Sequence, residues 1–460
     1  MIKIEAAGVG GLRHSPLLRV LLLGFLVLLL QIPVSLISGQ INARQQTRDA
    51  ARNEVNSMWG NTQTVIGPVL SIPYVRRWSE TKSSGEVTLR QEVRALRLLP
   101  EALKINGNLD SESRYRSIFE FSVYRGGFAL EGEFATPDWG ERGIAAEDVF
   151  WDRAELALYV SDPRAIQQPV KLEWNSHPVE FRPGAPRLGQ ADLPGIRAVL
   201  SGRMEGQRFN FKIPLNLKGS NGLRFAPVAK STQVSLTSDW AHPSFKGSWL
   251  PDKPDISTEG FRANWSLGYL GRNYPQLWQH GEDYSKAVCE SVFGVDLVTP
   301  VDEYRMAERS VKYALLFLSL TFVLIWLYEV LSALRVHPIQ YLLVGGSLCL
   351  FYLLLLALAE HIGFGAAYLM GAVLVTTQVT AYSLSALRSK ARALVLGGVL
   401  GSLYGYLYVL LQVQDFALIA GAGGLFLALT AVMYATRRID WYALRQTPPP
   451  PRGADKGAGA

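Results

Sequence analysis

The sequence predicts a membrane protein: an α-helical transmembrane bundle of six spans, N-in and C-in, with a large mainly-β domain on the non-cytoplasmic side between spans one and two. Three observations carry that reading. Apolar residues concentrate in residues 17 to 37 and again from Tyr313 to Ala435, in stretches of about 20 residues, the length that crosses a bilayer core. The residues between alternate apolar and polar side chains with the period of strands. The excess of basic residues sits beside the apolar stretches rather than in the middle.

That last point excludes one class of function. The 460 residues carry a formal charge of +7, which could signal a nucleic-acid binder. Residues 38 to 311, however, hold 33 Lys+Arg against 33 Asp+Glu, and the remaining 13 basic and 6 acidic residues flank the apolar spans. A domain that binds phosphate backbones is itself basic, so no nucleic-acid partner is expected. The imbalance reports membrane topology.

The first span, Leu17 to Ile37, follows Lys3, Arg13 and Arg19. Its apolar run exceeds that of a cleaved leader and no A-x-A site follows, which favours an uncleaved anchor. Five further spans are expected at about 313 to 334, 339 to 359, 364 to 387, 393 to 413 and 416 to 435. With the N-terminus cytoplasmic, the inner loops carry Arg335, then Arg388, Lys390 and Arg392, then Arg437 and Arg438; Glu360 to Gly363 and Gln414-Asp415, without Lys or Arg, lie outside. Every short loop then obeys the positive-inside rule. The expected division is a cytoplasmic N-terminus (1–16), an anchor (17–37), the β domain (38–311), a five-span bundle (312–436) and a disordered cytoplasmic tail (437–460) rich in Pro and Gly.

In the domain between spans one and two, Ala51, Val55 and Met58 at i, i+4 and i+7 predict a helix leading away from the first span. Alternation then takes over in VTLRQEVRALRLL, AELALYV, VKLEW, FNFKIPLNL, TQVSLTS and FRANWSLGYL, separated by Pro, Gly, Asn and Asp. Many short strands with regular turn signals predict an all-β sandwich or barrel-like domain. Between Arg116 and Phe134, Phe119, Phe121 and Val123 share a face and Gly126-Gly127 supplies a turn signal, so a hairpin with its turn at those glycines is expected. Nine of the eleven tryptophans fall in this domain; a β core explains them better than a glycan- or peptide-binding surface.

The chemistry-bearing patterns are sparse. The six histidines are dispersed, without H-E-x-x-H or C-x-x-C, and neither a G-x-S-x-G elbow nor a P-loop occurs. Zinc hydrolysis, serine hydrolysis of that type and nucleotide-driven work are therefore disfavoured; no catalytic residue, cofactor or metal is expected. Cys289 and Cys349 fall in different segments, which makes a disulfide between them improbable.

The candidates that remain are polar residues in or beside the spans, where a charge costs roughly 3 kcal/mol on insertion scales. Glu329 lies toward the inner end of the second span, near Arg335 and His337. An interfacial carboxylate paired with Arg335 is the simpler account, and a proton- or ion-coupled site the sharper one. Glu360-His361 closes the third span as an exposed loop pair or a pH-sensitive contact with the β domain. Gly397, Gly401 and Gly405 form a small-residue row for close helix packing. Tyr404, Tyr408 and Gln412, with Thr376, Thr377, Gln378 and Thr380, either link helices or line a polar passage.

The chain resembles the CreD family of bacterial inner-membrane proteins, often labelled cell envelope integrity proteins. The resemblance rests on GPVLSIPY (Gly67 to Tyr74), LTSDWAHPSFKGSWLP (Leu236 to Pro251), EGFRANW (Glu259 to Trp265), TPVDEYRMAERSVKYALLF (Thr299 to Phe317), the run from Arg335 to Phe364, and TRRIDWYAL (Thr436 to Leu444). It implies a periplasmic β domain and a role in envelope stress linked to a two-component regulatory system, with altered colicin tolerance and β-lactam response. It marks Trp240, His242, Pro243, Ser244, Arg335, His337, Glu360, His361, Asp440 and Trp441 as motif positions without roles. Two functions are weighed: a non-enzymatic envelope protein whose β domain binds an envelope protein or glycan, and a small-molecule or lipid transporter using the polar residues of the bundle. The lipid bilayer is the one partner both require, and the oligomeric state stays open.

Overall fold

The computed structural model describes residues 16–81, 87–140, 142–201, 206–279, 281–298, 303–331, 336–387, 389–413 and 416–437. Expectations placed on residues 1–15, Arg335, Arg388, Gln414-Asp415, Arg438, Asp440, Trp441 and the Pro-rich tail lie outside the described residues. The chain divides into two compact units, Met1–Thr47 with Val301–Ala460, and Arg48–Pro300.

Eight α-helices occur among the described residues: α1 (Pro16–Trp59), α2 (Ser285–Glu290), α3 (Glu303–Lys312), α4 (Ala314–Leu331), α5 (Pro338–Ile362), α6 (Phe364–Ala386), α7 (Lys390–Gln412) and α8 (Ala417–Thr436). Five of them are long and apolar enough to cross a membrane. A sixth span results if α3 and α4, which meet at a 42° bend, are taken together. The protein is thus a membrane protein with five or six apolar helices and a large mainly-β region.

Helix α1 runs unbroken for 44 residues through Pro33 and includes the helical segment expected after the first span. Leu26, Leu30, Val34, Ile37 and Ile41 are its buried row, spaced by three and four residues as one helix face requires. A side chain at Gly345 of α5 would meet Leu30 at 2.2 Å, so a glycine there lets α1 and α5 approach closely. Helix α5 begins where Pro338 occupies the first turn. Gln340 Oε1 accepts from the His337 amide at 3.0 Å, and His337 Nδ1 accepts from the Ile339 amide at 3.3 Å, which satisfies backbone donors that a helix start leaves orphaned.

The Arg48–Pro300 unit contains a nine-stranded and an eight-stranded sheet. Strand β1 (Gln63–Thr81) is the long member of the first sheet and pairs antiparallel with β2 (Val87–Leu98) from Leu70 to Thr81. The second sheet is built on β3 (Ala102–Arg116), β4 (Phe119–Ala135) and the Arg208–Ser220 strand. Alternate residues of Arg208–Ser220 are buried, and inward side chains of both sheets join one apolar cluster, so the two sheets share a core. Trp174, Trp265 and Trp278 are almost fully buried in it and Trp139, Trp151, Trp240 and Trp249 pack against it. The tryptophans are therefore chiefly core residues.

One expectation is corrected. Gly126-Gly127 makes no turn: β4 runs straight through both, and the hairpin closes at Ser117-Ile118, with Arg116 opposite Phe119 and Ser117 at φ 54°. Gly126 answers to a ring instead. A Cβ at Gly126 would lie 2.4 Å from Phe128 Cζ, and one at Gly107, opposite Phe128 on β3, 2.5 Å from Phe128 Cδ1. Glycine in a strand interior here makes room for an aromatic side chain.

Candidate functional site

Three arrangements in the helical unit gather the polar residues singled out from the sequence. The first surrounds Glu329, which is only 6% exposed. Its Oε1 accepts from Arg19 Nη1 of α1 at 2.5 Å and from the Val336 amide at 3.3 Å, while Oε2 accepts from the Tyr341 hydroxyl of α5 at 3.2 Å. The expected partner Arg335 lies outside the described residues, and the cation that meets Glu329 comes from the other end of the chain. Both carboxylate oxygens are engaged, and the group ties α1, α4 and α5 together. A buried charge paired and hydrogen-bonded in this way is held in place.

The second surrounds Glu360 at the end of α5. Its Oε1 accepts from the Tyr304 hydroxyl of α3 at 2.8 Å, and Arg44 Nε of α1 lies 3.6 Å away. His361 beside it is exposed. The two carboxylates therefore repeat one plan, each joining α1 to α5 and to a segment of the bent α3–α4 pair, one at either end of α5.

The third is a cavity of about 560 Å³ between α6 and α7, lined by Tyr368, Ala372, Thr376, Gly401, Gly405 and Tyr408 among others. The two helices are in tight contact at Gly397, where a Cβ would meet Thr380 Oγ1 at 2.3 Å. They stand apart at Gly401 and Gly405, where a Cβ would meet nothing within 4 Å. The glycine row is thus divided between one packing position and two that floor a space. Of the hydroxyl-bearing residues singled out from the sequence, Thr376, Thr377, Tyr404 and Tyr408 line it, joined by Tyr368; Thr380 instead donates back to the Thr376 carbonyl at 2.7 Å. Neither Glu329 nor Glu360 lines this cavity.

Known proteins now place the chain. A family model described as "Inner membrane protein CreD" matches residues 15–442. Inner membrane protein CreD of Escherichia coli (strain K12) is 32% identical over 418 residues, covering 91% of this chain and 92% of that protein. The chain belongs to the CreD family. It is accordingly an inner-membrane protein, and the motif positions can be read as CreD-family positions with a place in the fold. His337 caps α5. Trp240 Nε1 donates to the Val298 carbonyl at 3.2 Å, the Val298 amide donates to the His242 carbonyl at 3.3 Å, and Pro243 stands opposite Leu297 in the adjoining strand. Trp240, His242 and Pro243 therefore hold the last strand of the β region, Phe293–Leu297, at its end. Ser244 faces Asp296 in the same ladder.

Sequence reasoning missed the partners. Arg19 was read for topology alone, although a cation set inside an apolar run needs a counter-charge. Tyr304 and Tyr341 gave no signal, since a tyrosine on a helix usually packs. Arg272 was also missed. It is 8% exposed, and its Nη1 donates to the carbonyls of Pro227, Val228 and Ala229 at 3.1, 2.6 and 3.2 Å, with Gln276 receiving Nη2. Burial pushes its pKa below the ordinary arginine value. It cross-links the core of the β region.

Proposed function

We propose that this CreD-family chain is a non-enzymatic envelope-integrity protein, with both termini cytoplasmic and its β region in the periplasm, where that region binds another envelope protein. The basic inner loops support the orientation. One observation carries the binding reading. Beyond Tyr74 and before Ala95, β1 and β2 continue as a two-stranded arm whose residues are mostly exposed. Val87, Leu89 and Val93, exposed by 63%, 81% and 60%, lie on one face, because residues two apart in a strand share a face. Trp78 is exposed on the other face, with the Arg76 guanidinium 5.9 Å from its ring.

The arm also offers backbone. The pairing of β1 with Glu155–Val160 ends at Ser71, and that of β2 with Leu277–Gln279 begins at Leu96. On β1 the outer edge stays occupied to Tyr74, which bridges Val149, and at Pro73, whose carbonyl accepts from the Phe150 amide at 2.9 Å. From Val75 on β1 and before Leu96 on β2 each strand has its ladder partner on one side, and the outer edges carry the donors and acceptors that strand addition uses. An extended protein segment fits such an edge better than a glycan does.

The test places a photocrosslinking amino acid at Leu89 of the full chain in cells under envelope stress. A discrete protein adduct is expected, absent when Val87 and Val93 are both replaced by Asp in a chain that still accumulates in the membrane. Adducts to glycan alone, or adducts indifferent to the Asp pair, overturn the reading.

A further inference from the structure

We infer that the cavity between α6 and α7 is a lipid site that takes one acyl chain of a phospholipid from the leaflet on the Gly365–Tyr408 side. Its geometry follows from how the two helices diverge. They run antiparallel: Gly365 approaches the Tyr408 hydroxyl at one end, and Gly397 meets Thr380 toward the other. The tight contact at Gly397 closes the cavity below Thr376; beyond it Cβ atoms at Gly401 and Gly405 would meet nothing within 4 Å, while the Tyr368 hydroxyl bridges the helices by donating to the Tyr404 carbonyl at 2.7 Å.

The length selects the occupant. Gly365 and Thr377 are twelve steps apart along the helix, about 18 Å, and half of a bilayer's hydrocarbon core is about 15 Å. The cavity therefore reaches from one membrane surface to the midplane, the depth of a single leaflet's acyl chain. Its volume, about 560 Å³, lies within the range of small-molecule sites, about 300–1,000 Å³.

The lining selects the chemistry. Leu369, Ala372 and Val373 with Gly401 and Gly405 give a mainly apolar groove; Tyr368, Thr376, Thr377, Tyr404 and Tyr408 bring hydroxyls but no charged side chain lines it, which disfavours an ion as resident. Leu369 and Val373 are 67% and 56% exposed, so the groove opens sideways on helices that are themselves apolar enough to span, and the medium at its mouth is lipid. A hydroxyl, Tyr408, stands at the surface end, and Arg309, which does not line the groove, donates to the Leu410 carbonyl at 3.3 Å half a turn further along α7. A cation there suits a phosphate headgroup better than a neutral isoprenoid alcohol.

The test is native mass spectrometry of the full chain purified in mild detergent from cells whose main lipid is phosphatidylethanolamine. Wild type is expected to retain one phospholipid per chain as detergent is raised. Gly405→Leu and Val373→Trp fill the groove from opposite walls and are expected to lower retention at least tenfold. Gly398→Leu, the same change on α7 where a Cβ also meets nothing within 4 Å, retains lipid as wild type does. Equal thermal midpoints for the variants show that loss of lipid is not loss of fold. A wild type that holds no phospholipid, one that holds an isoprenoid or forms dimers in its place, or groove-filled variants that retain lipid equally would each overturn the assignment.

Discussion

Glu329 and Arg19 are 310 residues apart in the chain and form one ion pair, and their energetics are asymmetric. Removing one member of a fully buried pair costs about 3–5 kcal/mol, whereas removing both is far milder; here Glu329 is buried but the Arg19 side chain is 36% exposed, so a loss below that range is expected. Arg19→Met should therefore lower the thermal midpoint of the detergent-solubilised protein, and Arg19→Met with Glu329→Gln should recover most of the loss. If the double variant is no better than the single one, the pair is not the source of the stability. Arg272 makes a second case, in the β region: its guanidinium satisfies three carbonyls of one loop, so Arg272→Met should cost about 2–4 kcal/mol through the acceptors left behind, seen as a lower denaturation midpoint. At this scale the sequence revealed which groups were unusual but not what they touch. Glu329 stood out because a carboxylate in an apolar helix is costly anywhere, while its partner is fixed only by the packing of α1 on α5.

Elements were legible wherever one period ran without competition. The strands AELALYV, FNFKIPLNL and TQVSLTS declare themselves by alternation and occur where expected. The β3–β4 hairpin was placed on the wrong turn because Gly-Gly has two physical uses, a left-handed turn or space for a neighbouring ring, and local sequence cannot separate them. The ring account predicts a specific coupling. Gly107→Val should destabilise the β region by about 1–3 kcal/mol through overpacking, and adding Phe128→Ala should relieve most of that cost, leaving the share due to Leu236 Cδ2, 2.9 Å from the added Cβ. A double-mutant cycle with no coupling would reject it. In the same sheet the buried Tyr124 hydroxyl donates to the Gly222 carbonyl at 2.9 Å, and burial pushes its pKa well above the ordinary tyrosine value. Because the folded value is raised, this contribution is complete below the unfolded pKa of about 10 and is lost as pH rises beyond it. Tyr124→Phe should be less stable at neutral pH by about 1 kcal/mol, yet flatter in stability between pH 9 and 11, as measured by circular dichroism.

For the molecule as a whole, the decisive quantity is where the basic residues fall, and it bears on the least buried helix. The most apolar window of α8 has none of its residues buried. Among the described residues it is tied to α7 by the Tyr406 hydroxyl, which donates to the Ala420 carbonyl, and by Gly424, which makes room for that ring. A helix held so lightly adds little to the stability of α5, α6 and α7, so a chain ending at Val413 should keep the thermal midpoint of the full protein within a few degrees. The same truncation tests orientation. If Arg392 and Arg437 mark the cytoplasmic side, alkaline phosphatase fused after Val413 should be active because it lies in the periplasm, and the same enzyme fused after Arg437 should be inactive, with green fluorescent protein giving the reverse pattern. Activity at both positions would mean that α8 does not cross the membrane, and a reversed pair would place the β region in the cytoplasm and remove the basis for an envelope partner.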